Sequence, residues 1–260
     1  MITSDNNPKI QLVRSLINQS KARKHSSLFV VEGLRLVEEA VTSEWNIQCI
    51  FYSSNLSERG IKLIEHCKQK NIQVEEITLP LLEKLTETKT PQGILGVIHL
   101  RELKIPEFLD FVLICDAIRD PGNLGTMIRT AAAAGVQAVL LAPGTTDAFA
   151  PKVIRSGMGA HFNIPILQMG WNEIIQICHS RTFPLKIIGT MANAEENCWQ
   201  INLRQPSAII VGGEADGMSK DAIQITDKFV SIPMPGKSES LNAAIAASIL
   251  LFEAVRQRSK

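Results

Sequence analysis

Three loops of the 260-residue chain carry residues whose types and spacing could do chemistry. In the first loop, Asn123 is placed to cap an Ala-rich helix, and Arg129 lies further along that helix. The start of a helix presents free backbone N–H groups, which suit a phosphate or another anion. The alternative is that Asn123 only caps the helix and that Arg129 only extends its charge into solvent.

The second loop contains Gly212, Gly213 and Glu214 directly after an apolar run. Two glycines at the end of a strand let a ligand approach the backbone closely, and Glu214 could then pair with a cation or a hydroxyl. In the third loop, Ser240 or Asn242 is predicted to cap the following helix. Taken singly, the second loop could also be a tight turn with solvated acids, and the third loop could supply caps alone.

Other common sites are disfavoured by the sequence. It contains neither G-x-G-x-x-G nor G-x-x-x-x-G-K-[ST], so a standard dinucleotide site and a P-loop are not expected. Its five histidines show no metal-ligand spacing, and its five cysteines form no CxxC pair. The cysteines therefore indicate reduced packing residues in a reducing compartment, and no metal is predicted.

The elements that must position the three loops follow from hydrophobic patterning. Continuously apolar runs predict strands of a parallel sheet that is covered on both faces. In such sheets ligands bind beyond the carboxyl ends of the strands, where these loops lie. The runs are 111–115, 137–141, 185–189, 208–212 and 228–232, and a long helix is predicted from about 242 to 255.

The first third of the chain alternates helix and strand patterns and predicts a separate small α/β module. The charged stretch 101–110, which includes Pro106, is the predicted linker. We therefore predict two domains, residues 1–105 and residues 106–260. A hydrophobic content of 45% with 20% charged residues indicates a globular chain and excludes a disordered one.

The net charge of +1 says little about nucleic acid, but its distribution is uneven. Within residues 1–30, a single acid accompanies five basic residues that could contact RNA phosphates, namely Lys9, Arg14, Lys21, Arg23 and Lys24. A solvated helix face is the alternative. The sequence has no apolar run long enough for a membrane span and no secretory signal. A cytoplasmic location is expected, or an organellar one if a transit peptide was removed.

Taken in order, the three loops resemble the motifs of the SpoU (TrmH) family of S-adenosylmethionine-dependent RNA 2′-O-ribose methyltransferases. The matching motifs are Asn123-x-Gly125-x-x-x-Arg129, then Gly212-Gly213-Glu214-x-x-Gly217, and then Ile232-Pro233-Met234 with Ser240-Leu241-Asn242. One departure is the Ala-rich stretch after Asn242, where the family more often has Val-Ser-Val. The first domain resembles the family's L30e-like substrate-binding domain through Lys21-Ala22-Arg23, Phe29 to Gly33 and Thr90 to Ile94.

The resemblance implies an L30e-like α/β domain followed by an α/β methyltransferase domain with a mostly parallel sheet and a trefoil knot. It implies S-adenosylmethionine as cofactor, with contacts from Thr190, Gly212, Ile232 and Leu241. It also implies a catalytic group, with Asn123 holding the first loop in shape. That group is Arg129, Glu214, Ser240 and Asn242.

The function expected from this resemblance is 2′-O-methylation of a ribose in RNA by a homodimer that binds no metal and no membrane. The L30e-like domain favours large-subunit (23S-type) rRNA. The alternatives are a tRNA 2′-O-methyltransferase and a non-catalytic RNA-binding factor for ribosome assembly. Because a guanidinium stays protonated at neutral pH, Arg129 is expected to stabilise charge, while Glu214 orients Arg129 or its neighbours.

Overall fold

The computed structural model describes residues 1–86, 88, 90–179, 184–214, 216–237 and 240–259. Packing divides the chain into two units: residues 1–101 with 149–162, and residues 102–148 with 163–260. Both units contain helices and strands. Across the described residues, no helix has the length and apolar character needed to cross a membrane.

The first unit is built on a four-stranded sheet in the order β1-β4-β2-β3, in which β4 runs antiparallel to both of its neighbours. Its strands are β1 (Leu28–Glu32), β2 (Ile47–Tyr52), β3 (Val74–Glu76) and β4 (Ile94–His99). Its helices are α1 (Pro8–Asn18), α2 (Ser20–Ser26), α3 (Leu34–Thr42), α4 (Glu58–Gln69), α5 (Leu79–Leu85) and the later α7 (Pro151–Gly157).

Helix α1 shows how local sequence builds this unit. The Asn7 side chain accepts the N–H of Lys9, and Pro8 occupies the first turn. Both residues favour the start of a helix at this point of the chain. Ile10, Val13 and Leu16 are fully buried along one face and pack into the core of the sheet. Helical spacing of apolar residues thus becomes a buried stripe, as the sequence predicts.

The second unit contains a seven-stranded sheet, entirely parallel, in the order β7-β6-β5-β10-β8-β11-β9. The strands are β5 (Phe111–Asp116), β6 (Ala138–Leu141), β7 (Ile166–Gln168), β8 (Lys186–Thr190), β9 (Glu196–Asn197), β10 (Ser207–Gly212) and β11 (Lys228–Ser231). The helices are α6 (Pro121–Ala133), α8 (Trp171–His179), α9 (Lys220–Ile225) and α10 (Ala243–Arg258). The predicted fold class, α/β with a mostly parallel sheet and a separate N-terminal domain, is confirmed.

A late segment of the chain returns to the first unit. The ring of Phe149 lies 5.0 Å from that of Phe29, and the ring of Phe162 lies 5.2 Å from that of Trp45. The Trp45 indole N–H also donates to the Phe162 carbonyl at 3.2 Å. These contacts group residues 149–162 with the first unit, although the sequence analysis assigns them to the second domain. The reason is aromatic packing between segments more than 100 residues apart in sequence.

Candidate active site

The helix that follows the first loop has a different N-cap from the one that the sequence predicts. Helix α6 is capped by Asp120, whose Oδ1 accepts the N–H of Asn123 at 2.8 Å. Pro121 follows at the first helical position, where its lack of an N–H costs nothing. The predicted role of Asn123 as the cap is therefore wrong, and its side chain is available for other contacts.

One residue from each of the three loops joins a single hydrogen-bonded row. Asn242 Nδ2 donates to Asn123 Oδ1 at 2.9 Å, and Asn123 Nδ2 donates to Glu214 Oε1 at 2.6 Å. Asn242 Oδ1 accepts the N–H groups of Ala244 and Ile245, which confirms it as the cap of α10. Because that oxygen is engaged by the helix, the amide nitrogen of Asn242 faces Asn123. This row, in which Asn123 is the middle residue and bonds both Glu214 and Asn242, ties the three loops together and is called the Asn123–Glu214–Asn242 row below.

The Glu214 carboxylate holds the first loop. Burial raises the pKa of Glu214, but hydrogen bonds from Asn123 and from the backbone N–H groups of Glu214, Arg119 and Asp120 together lower that pKa below its usual range. The group is therefore charged near neutral pH, and its contacts are with the first loop. No hydrogen bond or ion pair joins it to Arg129 in the described part of the chain, and its partners lie in the first loop instead.

Arg129 is exposed on α6. Its guanidinium has no hydrogen bond or ion pair with any residue that the structure describes. The next residue, Thr130, faces the C-terminal helix, with its Oγ1 3.3 Å from the Oγ of Ser248. The structure therefore places Arg129 on the helix that starts at the row, with its charge open to solvent.

A cavity of about 300 Å³ lies at the carboxyl ends of β8, β10 and β11. All four predicted cofactor contacts line it, namely Thr190, Gly212, Ile232 and Leu241. Glu214 and Ser240 line it as well, whereas Asn123, Arg129 and Asn242 do not. An apolar cavity with a few polar groups at the carboxyl edge of a parallel sheet is typical of a small-molecule site.

The glycines of the second loop are required by the packing of the loop itself. A Cβ on Gly212 would lie 2.3 Å from the carbonyl carbon of Gly217, and a Cβ on Gly213 would lie 2.6 Å from the carbonyl oxygen of Ala117. Close approach at Gly212 was expected, but the approaching group is backbone of the same loop. Without side chains at these positions, bare backbone forms one wall of the cavity.

Asp116, to which the sequence analysis gave no role, ends β5 as a buried carboxylate. Its Oδ2 accepts the N–H of Ser219 at 2.6 Å, while its Oδ1 has no partner among the described residues. Burial raises the pKa of Asp116. Ser219 itself caps α9. In the sequence, an acidic residue at the end of an otherwise apolar run is the feature that could have singled out Asp116.

The five basic residues proposed to contact RNA are placed differently from one another. Arg23 is buried, and its Nη1 donates to the carbonyls of Leu16 and Ile17 at the end of α1, so its assignment to a phosphate contact needs correction. Lys9 is paired with Glu75, and Arg14 is paired with Asp5 at 2.9 Å. Lys21 and Lys24 are exposed on α2.

Comparisons with known proteins point to one family. A sequence model of the SpoU rRNA methylase family matches residues 110–252, and one of the MRM3-like substrate-binding domain matches residues 7–96. RlmP of Bacillus subtilis, a 23S rRNA (guanosine(2553)-2′-O)-methyltransferase, is 36% identical over 96% of this chain and 97% of its own. The human mitochondrial rRNA methyltransferase 3 is 29% identical over 96% of this chain and 72% of its own.

A solved structure extends the likeness to three dimensions. The SpoU methyltransferase AviRb from Streptomyces viridochromogenes, crystallised with S-adenosylmethionine, has a TM-score of 0.89 and 29% identity, covering 98% of this chain and 99% of its own. One family model spans more than half of the chain, and all three loops of the site fall inside it. The chain therefore belongs to the SpoU rRNA methylase family.

Proposed function

We propose that this protein transfers a methyl group from S-adenosylmethionine to a ribose 2′-oxygen in large-subunit rRNA. The observation that carries the proposal is the Asn123–Glu214–Asn242 row, whose glutamate also lines the cavity. RlmP, a relative over nearly the whole chain, is named for 2′-O-methylation of 23S rRNA, which supports the choice of substrate.

The cavity residues fit S-adenosylmethionine. The volume of about 300 Å³ and the mixture of apolar side chains with bare backbone suit a nucleoside with a short polar chain. Thr190, Gly212, Ile232 and Leu241 would hold the cofactor, which supplies a methyl group on a sulfonium. Ser240, which also lines the cavity, would lie at its polar side.

Arg129 is the charge-stabilising group of the proposed mechanism. A ribose hydroxyl is a weak nucleophile until its proton leaves or its developing negative charge is stabilised. An exposed guanidinium stays protonated at neutral pH, so Arg129 cannot accept that proton but can stabilise the oxygen. Glu214 is a poor proton acceptor because its lone pairs are engaged and its pKa is lowered. We assign the proton to water, and we assign Glu214, Asn123 and Asn242 to positioning the loops.

The decisive test is incubation of the protein with labelled S-adenosylmethionine and separate transcripts of 23S rRNA, 16S rRNA and tRNA. We expect label on 23S rRNA at a single ribose, mapped by the resistance of 2′-O-methylated linkages to alkali. Label on tRNA alone would instead support a tRNA methyltransferase. Binding to rRNA without label on any transcript, free or assembled into particles, would support the non-catalytic assembly factor.

A homodimer through the second unit is part of the proposal. Leu241, just before α10, and Ile245 and Phe252 on α10 are 37%, 50% and 49% exposed, and together they form an apolar patch that a second copy would cover. The knotted chain path expected of the family belongs to the same proposal. Light scattering should give twice the chain mass for the wild type, and Phe252→Glu should shift the protein towards the monomer. A monomeric wild type at micromolar concentration would contradict the dimer.

The first domain, residues 1–105, is proposed to bind the RNA substrate. Its match to the MRM3-like substrate-binding domain supports that role, and exposed Lys21 and Lys24 are its proposed phosphate contacts. We also propose a reducing, cytoplasmic location. All five cysteines are buried and outside disulfides, and burial raises the pKa of Cys49 to about 11, which supports unreactive thiols.

A further inference from the structure

The arginines of the second unit fall into two groups. Three of the five that the structure describes make side-chain contacts at the C-terminal helix α10. Arg256 pairs with Glu253 at 2.7 Å, Arg204 donates to the carbonyl of Gln257 at 3.0 Å, and Arg258 donates to the carbonyl of Asp110 at 2.9 Å. These three side chains are occupied by structural contacts.

The other two, Arg119 and Arg129, both lie in the first-loop segment. Both are exposed, and neither has a hydrogen bond or ion pair through its side chain within the described ranges. The neighbouring carboxylates are engaged elsewhere: Asp120 accepts the N–H of Asn123, and Glu214 accepts from Asn123 and from backbone. Neither guanidinium therefore forms an ion pair within the described ranges, although both adjoin the row of Asn123, Glu214 and Asn242.

Two contacts with the second loop fix the backbone at Arg119 and just before it. Its own N–H donates to the Glu214 carboxylate, which belongs to the row. Two residues earlier, Ala117 takes the left-handed conformation with φ of 53°, and its carbonyl packs against Gly213, where a Cβ would not fit. Unstrained alternatives exist for an alanine in a loop, so the second loop holds this conformation. Arg119 thus has an exposed guanidinium on a backbone that is held in place.

The chemistry of the substrate explains why two cations are needed there. In RNA the 2′-oxygen and the phosphate-bearing 3′-oxygen sit on adjacent ribose carbons. A cation that reaches the reacting 2′-oxygen therefore has a phosphate next to it that also needs a partner. The planar guanidinium is well suited to binding two phosphate oxygens at once.

We infer that Arg119 binds the RNA phosphate next to the target ribose and thereby positions the 2′-oxygen for Arg129. This assignment rests on the proposed function, because it presupposes an RNA substrate at the row. It makes Arg119 a substrate-binding residue, distinct in effect from Arg129. Loss of Arg119 weakens RNA binding, whereas loss of Arg129 slows methyl transfer from bound RNA.

The test compares Arg119→Ala and Arg119→Lys with the wild type on whichever transcript among 23S rRNA, 16S rRNA and tRNA the wild type binds most tightly. We expect Arg119→Ala to bind this RNA about three- to tenfold more weakly, with a slope of log K against log salt shallower by about 0.7–0.9. The single-turnover rate at saturating RNA should fall far less in Arg119→Ala than in Arg129→Ala, because a residue that binds the substrate acts mainly on affinity. Arg119→Lys should keep most of the affinity, because an ammonium still binds phosphate.

Lys186→Ala is the matched control. It removes one positive charge at the start of β8, at the amino ends of the strands and not at the carboxyl ends where the site lies. This variant should leave the slope unchanged. Wild-type affinity and slope in Arg119→Ala, or an equal loss in Lys186→Ala, would overturn the assignment. If the wild type methylates no transcript but Arg119→Ala still binds RNA selectively more weakly, the phosphate contact stands and the proposed reaction fails.

Discussion

Among the described residues of the first unit, at least five basic side chains form ion pairs with carboxylates, whereas two arginines in the first loop of the second unit have no side-chain partner in the described part of the chain. The paired side chains are Lys9, Arg14, Arg59, Lys84 and Arg155. The two unpaired arginines, Arg119 and Arg129, adjoin the Asn123–Glu214–Asn242 row. The two regions therefore use positive charge in opposite ways, one for internal contacts and the other facing solvent.

This difference shows that the availability of a basic side chain matters more than its abundance. The N-terminal stretch has the denser run of lysines and arginines, yet Arg23 is buried there, and Lys9 and Arg14 already have partners. The first loop has fewer basic residues, but both of its arginines are exposed and make no hydrogen bond or ion pair through their side chains within the described ranges. Four measurements test this contrast.

The largest effect is expected from Arg129→Ala. Removing one charge-stabilising donor should lower the single-turnover rate of methyl transfer by about a hundredfold, close to 2.7 kcal/mol. Calorimetry should show S-adenosylmethionine affinity near that of the wild type, because Arg129 does not line the cavity. Arg129→Lys should rescue poorly, since an ammonium lacks the planar fork. Near-wild-type turnover in both variants would return Arg129 to a solvated surface role.

The second effect concerns Arg23, the basic residue that turned out to be internal. Arg23→Met keeps the apolar stem but removes the hydrogen bonds to the carbonyls of Leu16 and Ile17. We expect the free energy of unfolding in urea to fall by about 1–2 kcal/mol. The salt dependence of RNA binding by the folded variant should not change. A stable variant with a shallower salt slope would mean that Arg23 leaves its pocket to bind RNA.

The third effect compares the two exposed lysines of α2 with the ion-paired Lys9 and Arg14 of α1. Neutralising Lys21 and Lys24 together should make the salt slope of RNA binding shallower by about 0.7–0.9 for each phosphate that is no longer neutralised. The matched double variant Lys9→Gln with Arg14→Gln should leave that slope unchanged. It should cost less than about 1 kcal/mol of stability for each pair, because surface ion pairs contribute little. Equal salt slopes for the two double variants would show that the lysines of α2 and the ion-paired residues of α1 contribute alike to RNA binding.

The smallest effect is expected from acidic residues, whose influence on stability depends on pH in opposite directions in the two units. In the first unit, hydrogen bonds from Lys84 and then Arg14 lower the pKa of Asp5, so this acid stabilises the fold above its unfolded pKa and loses that effect as the pH falls. In the second unit, burial raises the pKa of Asp116, so its contribution to stability is lost as the pH rises through its folded pKa.

Asp116→Asn should therefore gain stability relative to the wild type as the pH is raised from about 4 to 7, since Asn remains neutral. Thermal melting of both proteins across this range measures the difference. A difference that is constant with pH would show that the carboxylate of Asp116 carries no charge penalty.

Much of the second unit could be predicted because its signals are local. Continuous apolar runs predicted five of the strands, and the three motif loops fall at the carboxyl ends where the row and the cavity lie. Strands β7 and β9 were missed, since segments of three and two residues carry no periodicity. The cap of α6 was misassigned because Asp120 and Asn123 are both good caps, and only the position of Pro121 separates them.

The remaining misses depend on distant partners. Arg23 looks like any exposed helix residue until α1 and α2 fold back so that its guanidinium meets the end of α1. The close approach at Gly212 was foreseen, but the sequence does not show that Gly217 and Met218 fill the space. The Asn123–Glu214 bond spans 91 residues, so only the resemblance to a family could suggest that these two residues meet.

The returning segment limits how this protein can be divided. Strand β1 is covered by α7, and Glu32 pairs with Arg155 at 3.2 Å, although α7 lies well beyond the predicted boundary at residue 105. A fragment cut at that boundary would keep the strand without its cover, leaving Phe29 and Trp45 exposed to water. The substrate-binding half is therefore not a cassette that recombination could exchange between relatives at a single junction. A working chimera would need a second crossover that carries residues 149–162 along with their strand.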